Sequence, residues 1–239
     1  HLHTYVKLNP TLLGPDRLRE TLNTVCGFKT NVPDQAFEHD LKYTDAVNII
    51  NSLTNIAKGK NLIFGLKLTN TLESVNNKPV FGDAVDMMYM SGRALHPISV
   101  QVAHKLQEEF EGKLELSFSA GADAFNISDL LACGFKTITV CSDLLKPGGY
   151  MRMNQYFEKL QQAFATNNSI NIEDWIIKSA SNKDIRIAAL SNLRLYKDKV
   201  MVDKRYKREY IQQPDIKTKR ELDYLDRKST RLNSSHVSQ

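Results

Sequence analysis

Polar groups follow four short apolar runs of this sequence, at the points where buried strands would end. The segments are KLNP at 7–10, KLTNT at 67–71, SAGAD at 119–123 and VCS at 140–142, the last followed by KPGG at 146–149. In parallel α/β folds the groups that bind ligands lie at this end of the strands, on loops that lead into helices. We therefore take these four segments as the candidate site.

The last two segments have the composition of a phosphate site. Gly121 follows one strand, and Cys141 and Ser142 follow the next. Small residues at such positions let backbone N–H groups approach a phosphate closely, and the loops after the last two strands of a (β/α)8 barrel are its usual phosphate site. Taken singly, Gly121 could be a turn glycine and Cys141 a small core residue.

The first two segments carry groups that could face a planar ring. Lys7 lies inside an apolar run, so it would rise from an interior strand towards the mouth of a barrel and hold the electron-rich edge of a ring. Asn70 and Thr71, one strand later, could give directional hydrogen bonds to the same ring. Together the four segments predict a site for a phosphorylated planar cofactor such as FMN. For Lys67 we favour a solvated lysine at a strand edge.

The elements that must position these groups alternate along the first 165 residues. Apolar runs predict four strands, at 5–8, 61–68, 114–119 and 137–141. Helical periodicity predicts helices at 16–25, 44–57, 97–110, 127–133 and 150–164. Thr44 is expected to cap its helix. This alternation implies an α/β fold with a parallel sheet, in which four strands make either half of an eight-stranded barrel or a small open sheet.

Three further segments depart from that alternation. The turn-rich stretch from 70 to 91 predicts an excursion, which we interpret as a hairpin. Beyond a first domain at 1–165, residues 166–211 predict a helical linker, with helices at 172–180 and 184–206. An extended linker is expected at 212–226, and the unrelated pattern of 227–239 is interpreted as a non-native tail.

Composition excludes several classes of protein. The sequence contains no run of 18 apolar residues, so no membrane span is predicted. Three scattered cysteines are too few for a disulfide framework, a zinc site or an iron–sulfur cluster, so we predict no metal site and a reducing, cytoplasmic location. Residues 183–228, where 14 basic and 8 acidic residues alternate, carry a net charge of +6, which leaves −1 for the rest of the chain and +5 in total; nucleic acid is not expected as a partner.

At these segments the sequence resembles the dihydroorotate dehydrogenase family, including the flavin barrel of dihydropyrimidine dehydrogenase. KLNP at 7–10, LTNT at 68–71, SGRALHPI at 91–98 and SAGAD at 119–123 are similar to successive motifs of that family. The resemblance implies that Lys7 contacts FMN, that Asn70 and Thr71 serve the flavin and substrate, and that Gly92 lies at the flavin phosphate. Cys141 and Ser142 stand where the family closes that phosphate site.

The stretches KLNPTLLG, MYMSGRALHP and SDLLKPGGY are similar to the large-subunit family of flavoprotein and iron–sulfur oxidoreductases named for selenate reductase. This similarity implies the C-terminal half of a dihydroorotate dehydrogenase-like TIM barrel, truncated at both ends, that acts on a small-molecule substrate. It also implies partners within the same chain: a 4Fe-4S segment and a module for FAD and NAD(P)H, both downstream of this sequence.

The sequence also departs from the family. The loop whose Cys or Ser acts as general base belongs to the first half of the barrel, so no catalytic residue is assigned and the chain alone is expected to be inactive. Ala120 stands in place of a glycine, which would add a methyl group near the phosphate. A non-catalytic barrel that docks the iron–sulfur and FAD modules is therefore the alternative. Since a half barrel exposes unpaired strand edges, we expect the isolated chain to be poorly stable.

Overall fold

The computed structural model describes residues 2–76 and 84–211, and its centre is a four-stranded parallel sheet. The six strands are β1 (Thr4–Leu8), β2 (Phe64–Leu68), β3 (Leu72–Val75), β4 (Met87–Met90), β5 (Glu115–Phe118) and β6 (Thr137–Ile138). The sheet has the order β1-β2-β5-β6, and all three pairings are parallel. Because spatial order follows chain order, the sheet is built as half of a (β/α)8 barrel. The predicted α/β class is confirmed.

Helices connect the strands and continue after the last one. They are α1 (Pro15–Arg19), α2 (Asp34–His39), α3 (Tyr43–Gly59), α4 (His96–Glu109), α5 (Ile127–Ala132), α6 (Met153–Thr166), α7 (Ile172–Ala180), α8 (Ile185–Val202) and α9 (Arg208–Ile211). A π-helix at Glu20–Val25 extends α1. Four 3-10 turns lie at Pro10–Leu13, Gly92–Ala94, Gly149–Arg152 and Lys204–Tyr206.

The two faces of the sheet differ in polarity because side chains alternate along each strand. On one face Leu68 lies between Leu8 and Phe118 in register, and all three are buried in the main core. That core also contains apolar side chains of α4, which explains why this face is apolar. On the other face Lys67 lies in register with Lys7 of β1 and with a serine of β5.

The predicted excursion is a hairpin. Leu72–Val75 and Met87–Met90 pair antiparallel, with Leu72 opposite Met90 and Val75 opposite Met87. Leu72 is buried, whereas the methionines are half-buried. Within the described residues the hairpin therefore lies beside the end of β2 as a separate two-stranded unit, and residues 77–83 lie outside the description.

The helices after residue 166 pack on the barrel half. Residues of α8 such as Leu193 and Val200 belong to the same core as α4 and the sheet. Trp175 of α7 donates its indole N–H to the backbone oxygen of Ser128 at 3.0 Å. The division of the chain at residue 165 stays a prediction, and the segments 212–226 and 227–239 lie outside the described residues.

Several element boundaries differ from those predicted. The α3 helix begins at Tyr43 and its N-cap is Lys42, so the prediction that Thr44 caps it is wrong. The strand predicted at 137–141 ends at Ile138, because the following residues turn away into a loop. The short helix α2 was not predicted, since six residues carry too little periodicity to be distinguished from a loop.

Across residues 2–76 and 84–211, none of the helices combines the length and the apolar composition needed to cross a membrane.

Candidate functional site

Three loops at the carboxyl ends of the strands meet at two glycines. Gly92 opens the 3-10 turn before α4, Gly121 follows β5, and Ser142 follows β6. A Cβ atom placed on Gly121 would lie 2.6 Å from the backbone oxygen of Gly92 and 2.9 Å from the backbone nitrogen of Arg93. A Cβ atom on Gly92 would lie 3.3 Å from Oγ of Ser142. The structure therefore brings Gly92, Gly121 and Ser142 together.

Both glycines also adopt a backbone conformation that other residues avoid. The φ angle is +64° at Gly92 and +67° at Gly121. A side chain at either position would be strained even where space allowed it. Glycine is thus required at these positions for two reasons, the positive φ angle and the close approach of two backbone segments. A glycine in an ordinary turn is required for the φ angle alone.

The loop that carries Gly121 is fixed by its own side chains. The backbone N–H of Asp123 donates to Oδ1 of Asn126 at 2.8 Å, and Nδ2 of Asn126 donates to the backbone oxygen of Gly121 at 3.0 Å. Asp123 accepts from Nη2 of Arg205 at 2.6 Å, and both side chains are largely buried. The conformation of Gly121 is therefore supported from both sides of the loop.

The loop that carries Cys141 and Ser142 is anchored by the next residue, Asp143. Its buried carboxylate accepts from Nζ of Lys146 at 2.8 Å, from Nη2 of Arg152 at 3.0 Å and from the hydroxyl of Tyr156 at 2.8 Å. Burial alone would raise the pKa of Asp143, but the hydrogen bonds from Arg152 and Lys146 outweigh it and lower that pKa to about 2. Asp143 is thus a charged anchor at neutral pH.

A buried histidine links these loops to the helical layer. His96, at the start of α4, is fully buried, and its Nδ1 lies 2.6 Å from the backbone oxygen of Ala120. Because a carbonyl oxygen only accepts, Nδ1 carries the proton, and Nε2 accepts from the hydroxyl of Tyr196 at 2.7 Å. Burial lowers the pKa of His96 to about 3, although the hydrogen bond to Ala120 opposes that shift. His96 is therefore neutral, and its role is structural.

Charged groups of both signs adjoin the meeting point of the loops. Arg93 follows Gly92 in the chain. Lys146 lies in the Ser142 loop, where its Nζ is paired with the carboxylate of Asp143 at 2.8 Å. The 14-residue α4 helix begins four residues after Gly92, with its positive dipole end at this point. The arrangement favours an anion.

The polar face of the sheet carries two lysines in register. Lys7 of β1 is exposed and lies in register with the half-buried Lys67 of β2. Among the described residues β1 is an edge strand of the sheet, so the expectation that Lys7 rises from an interior strand is wrong. Ser117 lies next along the row, and its Oγ accepts from Oγ1 of Thr137 at 2.6 Å. The expected edge position of Lys67 is wrong, because β2 lies inside the described sheet and Lys67 shares a face with Lys7. The expectation that Lys67 has no role in the site stays a prediction.

Asn70 is held by a chain of hydrogen bonds at the ends of β1 and β2. Its Nδ2 donates to Oδ1 of Asn9 at 2.6 Å, and Nδ2 of Asn9 donates to Oδ1 of Asp40 at 2.6 Å. Oγ1 of Thr11 donates to the other oxygen of Asp40, also at 2.6 Å. The network fixes the orientation of the Asn70 amide before any ligand binds.

A cavity of about 270 Å³ opens beside this network. Asn70, the exposed Thr71 and Asp40 line it together with Tyr89 of the hairpin. This volume is just below the range of roughly 300–1,000 Å³ for small-molecule sites, and the cavity has both apolar walls and fixed polar groups, as such sites do. The strand ends can therefore admit part of a planar ligand or a small substrate.

The predicted site residues thus fall into two groups. Gly92, Gly121 and Ser142 meet at one end of the sheet, with Cys141 adjoining Ser142 in the chain. The side chain of Cys141 is exposed, so the alternative of a core cysteine is wrong. The second group consists of the two cavity residues Asn70 and Thr71 and, on the open face of the sheet, Lys7.

Some features of the site were outside the reach of the sequence analysis. Ala120 is buried in the main core, and the expectation that its methyl group lies near a phosphate stays a prediction. Asp40 and Arg205 were not predicted to contribute, because their partners lie 31 and 82 residues away and leave no local pattern. The alternating charges of residues 183–228 gave no sign that Arg205 forms a buried ion pair.

The fold and the site define this chain as an α/β domain of the TIM-barrel class found in oxidoreductases. A family model described as oxidoreductase YgfK, N-terminal TIM-barrel domain, matches residues 1–207, and the chain belongs to that family. YgfK of Escherichia coli strain K12 and YgfK of Escherichia coli O157:H7, both provisionally named as oxidoreductases, are each 48% identical over 161 residues. That alignment covers 67% of this chain and 15% of each relative, so the chain spans a small part of their length. No solved structure matches significantly.

Proposed function

We propose that this domain binds FMN as part of a multidomain oxidoreductase subunit of the type named for selenate reductase. The observation that carries the proposal is the meeting of three loops at Gly92 and Gly121, next to the start of α4 in the chain. Backbone turns of this kind, at the ends of successive parallel strands, suit a phosphate group. The polar face of the sheet and the adjoining cavity would then accept the ring.

Each group of residues has a distinct role in this proposal. Gly92, Gly121, Cys141 and Ser142 would hold the phosphate, with the positive end of α4 favouring its charge. Two lysines one strand apart, Lys7 and Lys67, would stabilise negative charge that develops on the ring.

A bound flavin would supply transfer of hydride or single electrons, which the side chains of this domain cannot perform. Asn70, held by Asn9 and Asp40, would orient the ring or the substrate through a fixed amide. The substrate is a small molecule that enters beside Thr71. We also expect partners in the same natural protein, namely iron–sulfur and FAD/NAD(P)H modules.

The alternative is a barrel that docks those modules without chemistry of its own. The departures from the flavin-barrel motifs support this alternative, and one of them, Ala120, is buried in the main core directly before Gly121. The fixed Asn70 network instead favours a ligand site, since a docking scaffold would have no need of an oriented amide at the strand ends.

The experiment is to purify the full-length natural protein that contains this domain, release its flavins and identify each by chromatography. We expect FMN as well as FAD, with FMN near one equivalent per chain. FAD without FMN would contradict the proposal and leave the barrel as a scaffold.

A further inference from the structure

A short turn near the end of the described chain contacts the loop that carries Gly121. In the turn Lys204–Tyr206, Nη2 of Arg205 donates to Oδ2 of Asp123 at 2.6 Å. The hydroxyl of Tyr206 accepts from Nδ2 of Asn126 at 3.3 Å. Two consecutive residues of this turn therefore contact two residues of the loop, across more than 75 positions of sequence.

Tyr206 also reaches the loop by a second route. It is 1% exposed and stacks on the ring of His96, with centroids 4.9 Å apart and planes 3° apart. His96 in turn donates to the backbone oxygen of Ala120, which precedes Gly121. The turn thus supports the loop through His96 and the backbone of Ala120 as well as through Asp123 and Asn126.

The turn is itself fixed in place. Nζ of Lys207 donates to the backbone oxygens of Val25 and Met201, at 2.7 and 2.6 Å. The N–H of Arg208 donates to the backbone oxygen of Cys26 at 2.8 Å. Because these bonds attach the turn to the end of the π-helix and to α8, it can act as a rigid support for the loop.

We propose that Arg205 and Tyr206 are positioning residues that hold the 119–126 loop in the conformation that binds the flavin phosphate. This inference rests on the proposed function. Neither residue contacts the meeting point of the glycine loops directly; each acts through Asp123, Asn126 or His96.

Charge burial makes Arg205 the stronger of the two supports. The side chain of Asp123 is 7% exposed and that of Arg205 20% exposed. Without the guanidinium, the Asp123 carboxylate would remain buried without its ion-pair partner, a state that proteins avoid by moving the group towards solvent. Such a movement would carry Gly121 away from Gly92, since Gly121 lies two residues before Asp123.

The test uses the full-length protein and three variants. Arg205→Met removes the ion pair but keeps the length of the side chain, and Tyr206→Phe removes only the hydroxyl while keeping the ring on His96. Arg194→Met is the matched control, because Arg194 makes an exposed ion pair from α8 to Glu108 of α4, away from the loop. Two quantities are measured: hydrogen–deuterium exchange of residues 119–126 in flavin-free protein, and FMN affinity by fluorescence titration.

We expect Arg205→Met to speed exchange in 119–126 and to weaken FMN binding about ten-fold, with a smaller effect for Tyr206→Phe and none for Arg194→Met. Exchange in 119–126 that matches the wild type in both turn variants would overturn the inference, as would faster exchange with unchanged FMN affinity. If the wild type itself takes up no FMN, the proposed function fails, and the exchange comparison alone decides whether the turn holds the loop.

Discussion

The loops that follow β5 and β6 are held more firmly than the loops that follow β1 and β2. We call these two sides of the sheet the β5 and β6 end and the β1 and β2 end. At the β5 and β6 end, the carboxylates of Asp123 and Asp143 are buried and paired with arginine, and His96 is fully buried between a loop carbonyl and two tyrosines. At the β1 and β2 end, Lys7 and Thr71 are exposed and a cavity remains beside Asn70. The first end resembles a protein core, whereas the second resembles a binding surface.

This difference matches what the two ends of a flavin would need. A phosphate is best bound by backbone groups that do not have to reorganise, so rigid loops reduce the cost of binding. A ring that exchanges electrons with a substrate needs open space beside it, and the cavity of about 270 Å³ leaves such space. We infer that the β5 and β6 end provides affinity and the β1 and β2 end provides access.

The largest effect is expected from Gly121→Ala. The new Cβ atom would lie 2.6 Å from the backbone oxygen of Gly92, at a φ of +67°, so the two loops would have to separate. We expect this to cost roughly 2 kcal/mol, which corresponds to about thirty-fold weaker FMN binding. Titration of the full-length protein with FMN measures it.

Gly59→Ala is the matched control for that substitution. Gly59 ends α3, and no atom lies within 4 Å of the position that its Cβ would take. FMN affinity should therefore be unchanged in this variant. Equal losses in the two glycine variants would show that the Gly92–Gly121 contact has no special role.

An effect of similar size, on stability and not on binding, is expected from the titration of His96. Its pKa in the folded protein is about 3, below its ordinary value of 6.5, so between these two pH values the unfolded chain binds a proton at this histidine and the folded chain does not. The contribution of neutral His96 to the free energy of unfolding is therefore complete above pH 6.5 and is lost as pH falls towards 3. At pH 5 the loss should be about 2 kcal/mol. Urea unfolding followed by Trp175 fluorescence, at pH 7 and pH 5, measures it.

His96→Gln should reduce this dependence on pH, because glutamine does not titrate. The pKa of His104 is also lowered, chiefly by burial. His104→Gln therefore serves as the comparison, and it should remove a smaller part of the dependence of stability on pH. A wild-type stability that is the same at pH 5 and pH 7 would mean that the β5 and β6 end is looser than the structure indicates.

Local patterns in the sequence were sufficient to predict most of the fold. Alternating apolar runs and helical periods predicted all four strands of the parallel sheet and the helices that became α3, α4 and α7, because each pattern reflects the burial of one face. The strand predicted at 137–141 ends at Ile138, and the helix predicted from residue 44 begins at Tyr43. Such boundaries are hard to predict because the end of an element depends on contacts that the local pattern does not contain.

The site was predictable only in part, for a similar reason. Gly92, Gly121 and Ser142 belong to short motifs, and the structure brings them together. The groups that hold them are distant in sequence: Arg205 supports Asp123 from 82 residues away, and Tyr196 reaches His96 from 100 residues away. Neither pair has a spacing that indicates contact, so only the folded chain reveals the supports.

The most direct test of the account compares FMN with riboflavin, which has the same ring but lacks the phosphate. Full-length protein stripped of its flavin is titrated with each, and the binding that Gly121→Ala weakens is assigned to this site. The account predicts that FMN binds at least roughly 100-fold more tightly than riboflavin, because charge-assisted hydrogen bonds to a phosphate contribute several kcal/mol. Equal affinities would contradict it, since the loops at Gly92 and Gly121 would then hold no phosphate.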